Sequence, residues 1–132
     1  MIFIIGSRGR LGRAIASSYS DMDVIQLERS TYQDWWQQGS QNKILDFFAP
    51  YTASNSIVFV TSGILDPKES YEEHLRVNFL LPKHIINATS GTKLRVVTFG
   101  TVMENLIKKN NSYIRTKAML GDYVANLPKS ER

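Results

Sequence analysis

The sequence of 132 residues contains no cysteine, and this absence excludes three kinds of chemistry. A disulfide framework, a thiolate metal site and a cysteine nucleophile all require a thiol. A long apolar run is also missing from the first residues, MIFIIGSRGR, whose apolar stretch is far too short for a secretion signal. These absences favour a cytoplasmic setting and predict no membrane partner.

Charge of one sign is not in large excess, because 16 lysines and arginines face 12 aspartates and glutamates. The composition is that of an ordinary globular chain, which argues against disorder and predicts one domain with one core. Three arginines, Arg8, Arg10 and Arg13, nevertheless crowd into one short stretch, and Arg29 follows. They indicate a local anion site rather than a nucleic-acid surface, although at least two of the four are expected to be solvated.

Apolar runs alternate with helical spacings along the chain. The predicted strands are Ile2–Ile5, Asp23–Leu27, Ser56–Thr61 and Leu94–Phe99. The predicted helices are Leu11–Tyr19, Tyr32–Gln38, Gln41–Phe48, Ser70–Ala88 with Ser70 as its cap and a kink at Pro82, and Tyr113–Leu127 after a loop over Thr101–Asn111. Because consecutive parallel strands need crossovers, this order predicts an α/β fold: a Rossmann-like, doubly wound parallel sheet with helices on both faces.

The stretch Gly6-Ser7-Arg8-Gly9-Arg10-Leu11-Gly12 follows the first strand and opens the first helix. Glycines at this spacing permit a tight turn, let backbone N–H groups approach a pyrophosphate, and allow close packing of helix and strand. An ordinary strand-to-helix turn is the alternative. The context predicts a dinucleotide site that includes Gly6, Gly9, Leu11 and Gly12.

Glu28 ends the second predicted strand, where an acidic side chain accepts hydrogen bonds from the adenosine ribose. Arg29 follows it, and with Arg8 it can pair with a 2′-phosphate, because arginine forks match phosphate geometry. We therefore expect NADP(H) to be the cofactor rather than NAD(H).

Tyr113 and Lys117 lie four residues apart and so share one face of the last predicted helix. A nearby ammonium stabilises a phenolate and lets a tyrosine act as an acid or base. A surface tyrosine beside a lysine is the alternative. Thr98 lies at the end of the fourth predicted strand and Thr101 just after it, where hydroxyls face a ligand in this fold class. We favour Thr101, whose alternative role is a turn hydroxyl bonded to its own backbone.

The two histidines, His74 and His84, lie on one predicted helix without the carboxylates that a metal site would need. We expect no metal site, and both histidines are predicted to be on the surface or partly buried.

In their order along the chain, these motifs resemble those of the short-chain dehydrogenase/reductase superfamily. They are the glycine turn, Thr61-Ser62-Gly63, Asn78, Thr101, and Tyr113 with Lys117. The spacing of the glycines resembles that of the extended branch, which includes nucleotide-sugar epimerases, dehydratases and reductases.

The resemblance implies a role for each catalytic residue. Tyr113 would donate or accept the proton, Lys117 would hold the ribose and lower the pKa of that tyrosine, and Thr101 would bind the reacting oxygen. Asn78 would belong to a proton relay or hold the long helix open for water, and Thr61, Ser62 and Gly63 would line the cofactor.

The resemblance covers nearly the whole chain and implies that residues 1–132 are the NAD(P)-binding domain, without the C-terminal substrate region of the family. The expected activity is oxidoreduction or epimerisation at a hydroxyl or carbonyl of a nucleotide-sugar-like substrate, in a homodimer. The alternative is a regulatory or scaffold protein that binds the dinucleotide without turnover.

Overall fold

The computed structural model describes residues 1–101 and 111–131. The strands are β1 (Ile2–Ile5), β2 (Val24–Gln26), β3 (Ile57–Val60) and β4 (Arg95–Thr98). The α-helices are α1 (Arg10–Ser18), α2 (Arg29–Tyr32), α3 (Gln41–Phe48), α4 (Tyr71–Leu75), α5 (Leu81–Thr89) and α6 (Ser112–Ala125), with 3₁₀ turns at Ala49–Tyr51 and Lys129–Glu131.

All four strands are parallel and lie in the order β2-β1-β3-β4. The chain passes from β1 to β2 on one side and then returns to β3 on the other side of β1. In a doubly wound sheet this reversal opens a crevice at the carboxyl ends of the two strands, which here are followed by Gly6 and Thr61. The predicted fold class is confirmed.

Alternate residues of β1 feed two separate apolar cores, one on each face of the sheet. Phe3 and Ile5 pack with residues of α3 and α5, whereas Ile2 and Ile4 pack with residues of α1. All four side chains are buried, which explains why the strand reads as a continuous apolar run. Helices therefore cover both faces, as predicted.

Two predicted elements differ from the structure. Residues 33–40 form turns after α2, so the helix predicted over Tyr32–Gln38 is wrong. The long predicted helix is present, and the Ser70 hydroxyl accepts the Glu73 N–H at its start (3.1 Å), but it contains a π-helical turn at Arg76–Leu80. Pro82 is the second residue after that turn and lacks the N–H that a regular helix would use.

The loop predicted over Thr101–Asn111 falls largely on residues 102–110, which lie outside the described residues. Within residues 1–101 and 111–131, no helix has both the length and the apolar character required to cross a membrane.

Candidate functional site

The carboxyl ends of β1 and β3 are fastened together where the crevice opens. The Thr61 backbone N–H donates to the Ile5 carbonyl oxygen at 2.8 Å. The Thr61 hydroxyl lies 2.8 Å from the same oxygen and 3.0 Å from the Gly6 carbonyl oxygen. Thr61 therefore braces the glycine turn while its backbone lines the crevice.

Two glycines of the turn are required by the protein itself. Gly6 has φ +87°, and a Cβ there would lie 2.5 Å from the Ser62 nitrogen. At Gly12, which is buried, a Cβ would lie 2.7 Å from Ser7 Cα. These contacts confirm two expected roles: Gly6 makes the turn, and Gly12 lets α1 pack against it.

Gly9 is different, because nothing in the described residues requires a glycine at that position. Its backbone is extended, with φ −74° and ψ 169°, and a Cβ would meet only the Gly6 carbonyl oxygen at 3.5 Å, an ordinary contact. Gly9 is the N-cap of α1 and provides no side-chain cap for the first N–H groups of that helix. The absent side chain leaves the positive end of α1 open to a ligand.

A cleft of ≈ 830 Å³ extends from this turn across the end of β2. Its lining includes the predicted cofactor residues Gly6, Arg8, Gly9, Glu28, Arg29, Thr61, Ser62 and Gly63. Its volume lies within the usual range for small-molecule sites. The structure thus brings the two arginines and Glu28 to the same cleft as the glycine turn.

Tyr32, which the sequence analysis did not select, also lines this cleft, together with Arg8 and Arg29. Burial raises the pKa of Tyr32, while the guanidinium of Arg29, a hydrogen bond with the Gly6 backbone and the guanidinium of Arg8 act in the opposite direction. The positive charge of both arginines therefore acts on this phenol, which lines the same cleft. Its place four residues after Glu28, on the helix that follows β2, is the signal that could have identified it.

The outer wall of the cleft carries a second feature that the sequence did not reveal. The guanidinium of Arg76 lies 4.4 Å from the centre of the Trp36 ring, and its Nη1 lies 3.4 Å from Glu73 Oε2. All three residues line the cleft. A long sequence separation between Trp36 and Arg76 hides this pairing from any local pattern.

A second cavity of ≈ 230 Å³ lies beside the first and shares the wall Thr61-Ser62-Gly63 with it. The Ser62 hydroxyl oxygen is buried and has no hydrogen-bond partner within the described part of the chain. A buried hydroxyl without a partner loses free energy, so a ligand group is its natural complement.

Tyr113 and Lys117 both line the second cavity, together with Leu11 and Leu65, which are 42% and 68% exposed. Asn111 Oδ1 accepts the Tyr113 N–H at 2.8 Å and so sets the start of α6. The Lys117 side chain is buried, and its Nζ donates to the Phe99 carbonyl oxygen at 2.8 Å. Tyr113 and Lys117 therefore line one cavity next to the glycine turn.

Three predicted site residues, Gly12, Asn78 and Thr101, lie outside the linings of the two cavities. The buried amide of Asn78 is bonded to both backbone groups of Ile64, at 2.8 Å and 3.0 Å. Thr101 follows Gly100, which lines the second cavity, and Thr98 ends β4. The catalytic roles of Asn78 and Thr101 stay predictions.

No group of three or more His, Cys, Asp or Glu side chains that could hold a metal ion occurs in residues 1–101 and 111–131.

The sequence matches no protein-family model and none of the curated proteins. Several solved structures share the fold. They include dTDP-4-dehydrorhamnose reductase from Clostridium acetobutylicum, with a TM-score of 0.76, 19% identity, and coverage of 96% of this chain and 49% of that chain. The Bacillus anthracis enzyme of the same name, in complex with NADP, has a TM-score of 0.74, 12% identity and the same coverages.

A GDP-D-glycero-L-gluco-heptose synthase from Campylobacter jejuni, determined in the presence of NADPH, has a TM-score of 0.68 and 17% identity over 95% of this chain and 44% of that chain. At these identities the likeness establishes the fold alone. The chain spans about half the length of the reductases that it matches.

Proposed function

We propose that this domain binds NADP(H) across the carboxyl ends of β1 and β3 and forms the cofactor-binding part of an oxidoreductase or epimerase. The proposed substrate is a nucleotide-sugar-like molecule with a reacting hydroxyl or carbonyl. Tyr113, Lys117 and Thr101 are the proposed catalytic residues. The substrate class is supported by the solved structures with the same fold, which include dTDP-4-dehydrorhamnose reductases and a GDP-D-glycero-L-gluco-heptose synthase.

One observation carries the proposal: the charged cleft and the Tyr113–Lys117 cavity share the wall Thr61-Ser62-Gly63. A long ligand could lie along this wall with one end near Arg8 and Arg29 and the other near Tyr113. A dinucleotide has this form, because a pyrophosphate joins two nucleosides. The glycine turn stands between the two ends, where the pyrophosphate would need the N–H groups of α1.

The residues of the site fit such a cofactor in two further respects. Gly9 leaves an approach to α1 that a Cβ would fill, and the buried Ser62 hydroxyl needs a partner. Arg8, Arg29 and Glu28 would hold the adenosine end, and Lys117 the other ribose. When bound, the nicotinamide would supply or accept the hydride.

The chain's own residues would move the proton. The Tyr113 phenol faces a cavity with an apolar rim formed by Leu11 and Leu65, where charges are screened less than in bulk water. The Lys117 ammonium, held by the Phe99 carbonyl oxygen, would stabilise the negative charge that develops on the phenol oxygen when it gives up its proton. Tyr113 would then act as a general acid or base.

A second candidate is a protein that binds the dinucleotide without turnover. It is favoured by the engagement of the Lys117 ammonium with the Phe99 carbonyl oxygen, since a lysine used in this way need only brace the cavity. The two candidates differ in the role of the Tyr113 hydroxyl, which turnover requires and binding alone does not.

Changing Arg8 to alanine should weaken NADP(H) binding roughly 10- to 100-fold, the scale of one charge-assisted phosphate contact, and change NAD(H) binding less than about threefold. The reason is that only NADP(H) carries the 2′-phosphate. Titration calorimetry with both cofactors measures the effect. Arg10→Ala is the matched control, because Arg10 is exposed on α1 and lies outside the cleft lining. Equal losses for both cofactors would contradict the assignment.

Thr101→Ala should lower turnover with little change in cofactor affinity. Thr98→Ala should lower turnover less than Thr101→Ala does. Thr98 belongs to β4 and pairs with Val60 in the sheet, while Thr101 lies beyond the strand next to the second cavity. Steady-state kinetics with a nucleotide-sugar carbonyl substrate would compare the two variants. A larger loss from Thr98→Ala would move the catalytic hydroxyl to that position.

A further inference from the structure

His74 was predicted to be on the surface or partly buried, and this prediction is wrong. Its side chain is 0% exposed. Both ring nitrogens have partners: Nε2 lies 2.9 Å from the Asp66 carbonyl oxygen, and Nδ1 lies 3.3 Å from Asn78 Nδ2. These partners decide which nitrogen carries the proton.

The Asp66 carbonyl oxygen can only accept a hydrogen bond, so Nε2 of His74 must donate. On the other side, the orientation of the Asn78 amide is set by Ile64, whose N–H donates to Oδ1 and whose carbonyl oxygen accepts from Nδ2. The group that faces His74 Nδ1 is therefore the amide NH₂ group, which can only donate, so a proton on Nδ1 would face another donor and Nδ1 carries none. The first contact requires a proton on Nε2 and the second excludes a proton on Nδ1, so the two together require a neutral imidazole protonated on Nε2.

The same amide also reaches the helix that carries the proposed acid. Asn78 Nδ2 lies 3.2 Å from the Thr116 hydroxyl oxygen, and that hydroxyl donates in turn to the Ser112 carbonyl oxygen at 2.7 Å, with the Tyr113 carbonyl oxygen at 3.1 Å. The network thus joins α4, the π-helical turn, the loop after β3 and the first turn of α6.

We propose that His74 is a positioning residue: as the neutral, Nε2-protonated imidazole it holds the loop 61–66, directly through Asp66 and through Asn78 at Ile64, in the place where the loop walls both cavities. The consequence for cofactor binding rests on the proposed function, whereas the fastening of the loop does not. Neither His74 nor Asn78 lines either cavity, and the proposed action of His74 is through the loop.

Nitrogen-15 NMR of the wild-type chain tests the protonation state directly. The chain has only two histidines, so His84→Gln assigns the spectrum by removing the other signal. We expect His74 to be neutral with its proton on Nε2 at neutral pH. A proton on Nδ1 alone, or a charged ring, would overturn the proposal.

Two substitutions test the consequence for the loop. His74→Leu removes both polar contacts at similar volume and should speed hydrogen exchange of the Ile64 N–H, and weaken NADP(H) binding, each roughly tenfold, the scale of one buried hydrogen bond. His74→Gln can still donate to the Asp66 carbonyl oxygen and should recover part of both losses. The control His84→Gln should change neither property, because His84 contacts the Trp35 carbonyl oxygen and Ser40, away from the loop.

Wild-type exchange of Ile64 together with unchanged cofactor affinity in His74→Leu would overturn the proposal. If His74→Leu does not fold, the proposal is tested by the Ile64 exchange rate and the NADP(H) affinity of His74→Gln and by the protonation state of His74 in the wild-type NMR spectrum. If the wild-type chain binds no NADP(H), the proposed function is wrong. The hydrogen-exchange rate of the Ile64 N–H and the protonation state of His74 still test whether His74 positions the loop.

Discussion

Gly9→Val should weaken NADP(H) binding by at least roughly 100-fold, about 2.7 kcal/mol, while the helical circular dichroism stays that of the wild type. Two or more backbone N–H contacts to a pyrophosphate are of this size together, since hydrogen bonds to charged groups contribute about 1.5–3 kcal/mol each. A branched side chain at the N-cap would stand in front of these donors. Titration calorimetry and a thermal unfolding curve measure the two properties.

The protein itself should tolerate the change. The Gly9 backbone is in the extended region that any residue adopts, and a Cβ would make one ordinary contact at 3.5 Å. An apolar residue caps a helix less well than glycine, so a destabilisation of about 1 kcal/mol is expected. Loss of binding without loss of fold would therefore show that the side chain added at Gly9 blocks the ligand, and not that it disrupts the turn.

Gly12→Ala is the matched contrast, because its Cβ would lie 2.7 Å from Ser7 Cα and 3.0 Å from the Gly6 carbonyl carbon. Backbone cannot move aside as a flexible side chain can, so this variant should lose about 3 kcal/mol or more of unfolding free energy. Retained binding in Gly9→Val, or unfolding of Gly9→Val comparable to that of Gly12→Ala, would remove the assignment of a phosphate site.

These glycines show which parts of the site local sequence can predict. The role of Gly12 follows from Gly6 and Ser7 in the same turn, and the role of Gly6 follows from its φ of +87°, although its tightest contact is with Ser62 after β3; the structure confirms both roles. The bounds of Ile2–Ile5 and Gln41–Phe48 were also predicted correctly. In the strand and the helix the apolar side chains recur with the period of the element, so the sequence carries the signal.

The segment after α2 shows where local patterns fail. Trp35 is buried in the core while Trp36 lies in the cleft beside Arg76. The Trp35 carbonyl oxygen is bonded to Ser40 Oγ at 2.6 Å and to His84 Nδ1 at 2.9 Å, contacts made through turns and a distant helix. Tertiary contacts override the helical propensity of residues 33–38, and the sequence of the segment does not predict these contacts.

The burial of His74 and its contact with Asn78 were missed for the same physical reason. Their spacing places both on one side of a helix, but their burial depends on polar partners at Ile64 and Asp66, in a loop that has no periodic pattern. A buried polar residue is stable only when such partners satisfy it. Sequence patterns locate apolar faces, whereas a satisfied polar network becomes visible only in three dimensions.

The pair Tyr113 and Lys117 was predicted from the four-residue spacing, and the structure places both at the second cavity. Spacing alone cannot distinguish a catalytic pair from a structural one. Lys117 has a structural contact, to the Phe99 carbonyl oxygen, and is buried. Whether the pair is catalytic is therefore tested by removing the Tyr113 hydroxyl, which can be done without removing the ring.

Tyr113→Phe should lower the rate of the chemical step by roughly 100-fold or more, the scale of general acid–base catalysis, with cofactor affinity within about twofold of the wild type. The ring and its packing stay, and only the proton-carrying oxygen is lost. Lys117→Ala should lower both the rate and the affinity, because the ammonium is proposed to touch the ribose as well as to stabilise the phenolate. Single-turnover oxidation of NADPH, with a nucleotide sugar that bears a carbonyl, separates the two effects.

Three outcomes of this experiment lead to different conclusions. A lower rate with unchanged affinity in Tyr113→Phe supports the enzyme, because differential loss at the chemical step identifies a group that acts in the transition state. An unchanged rate means that another group moves the proton and that Tyr113 is a wall of the cavity. If the wild-type protein binds NADP(H) but turns over no nucleotide-sugar carbonyl, and Tyr113→Phe binds NADP(H) equally well, then the dinucleotide-binding protein without turnover replaces the enzyme, since the hydroxyl would have no function that binding requires.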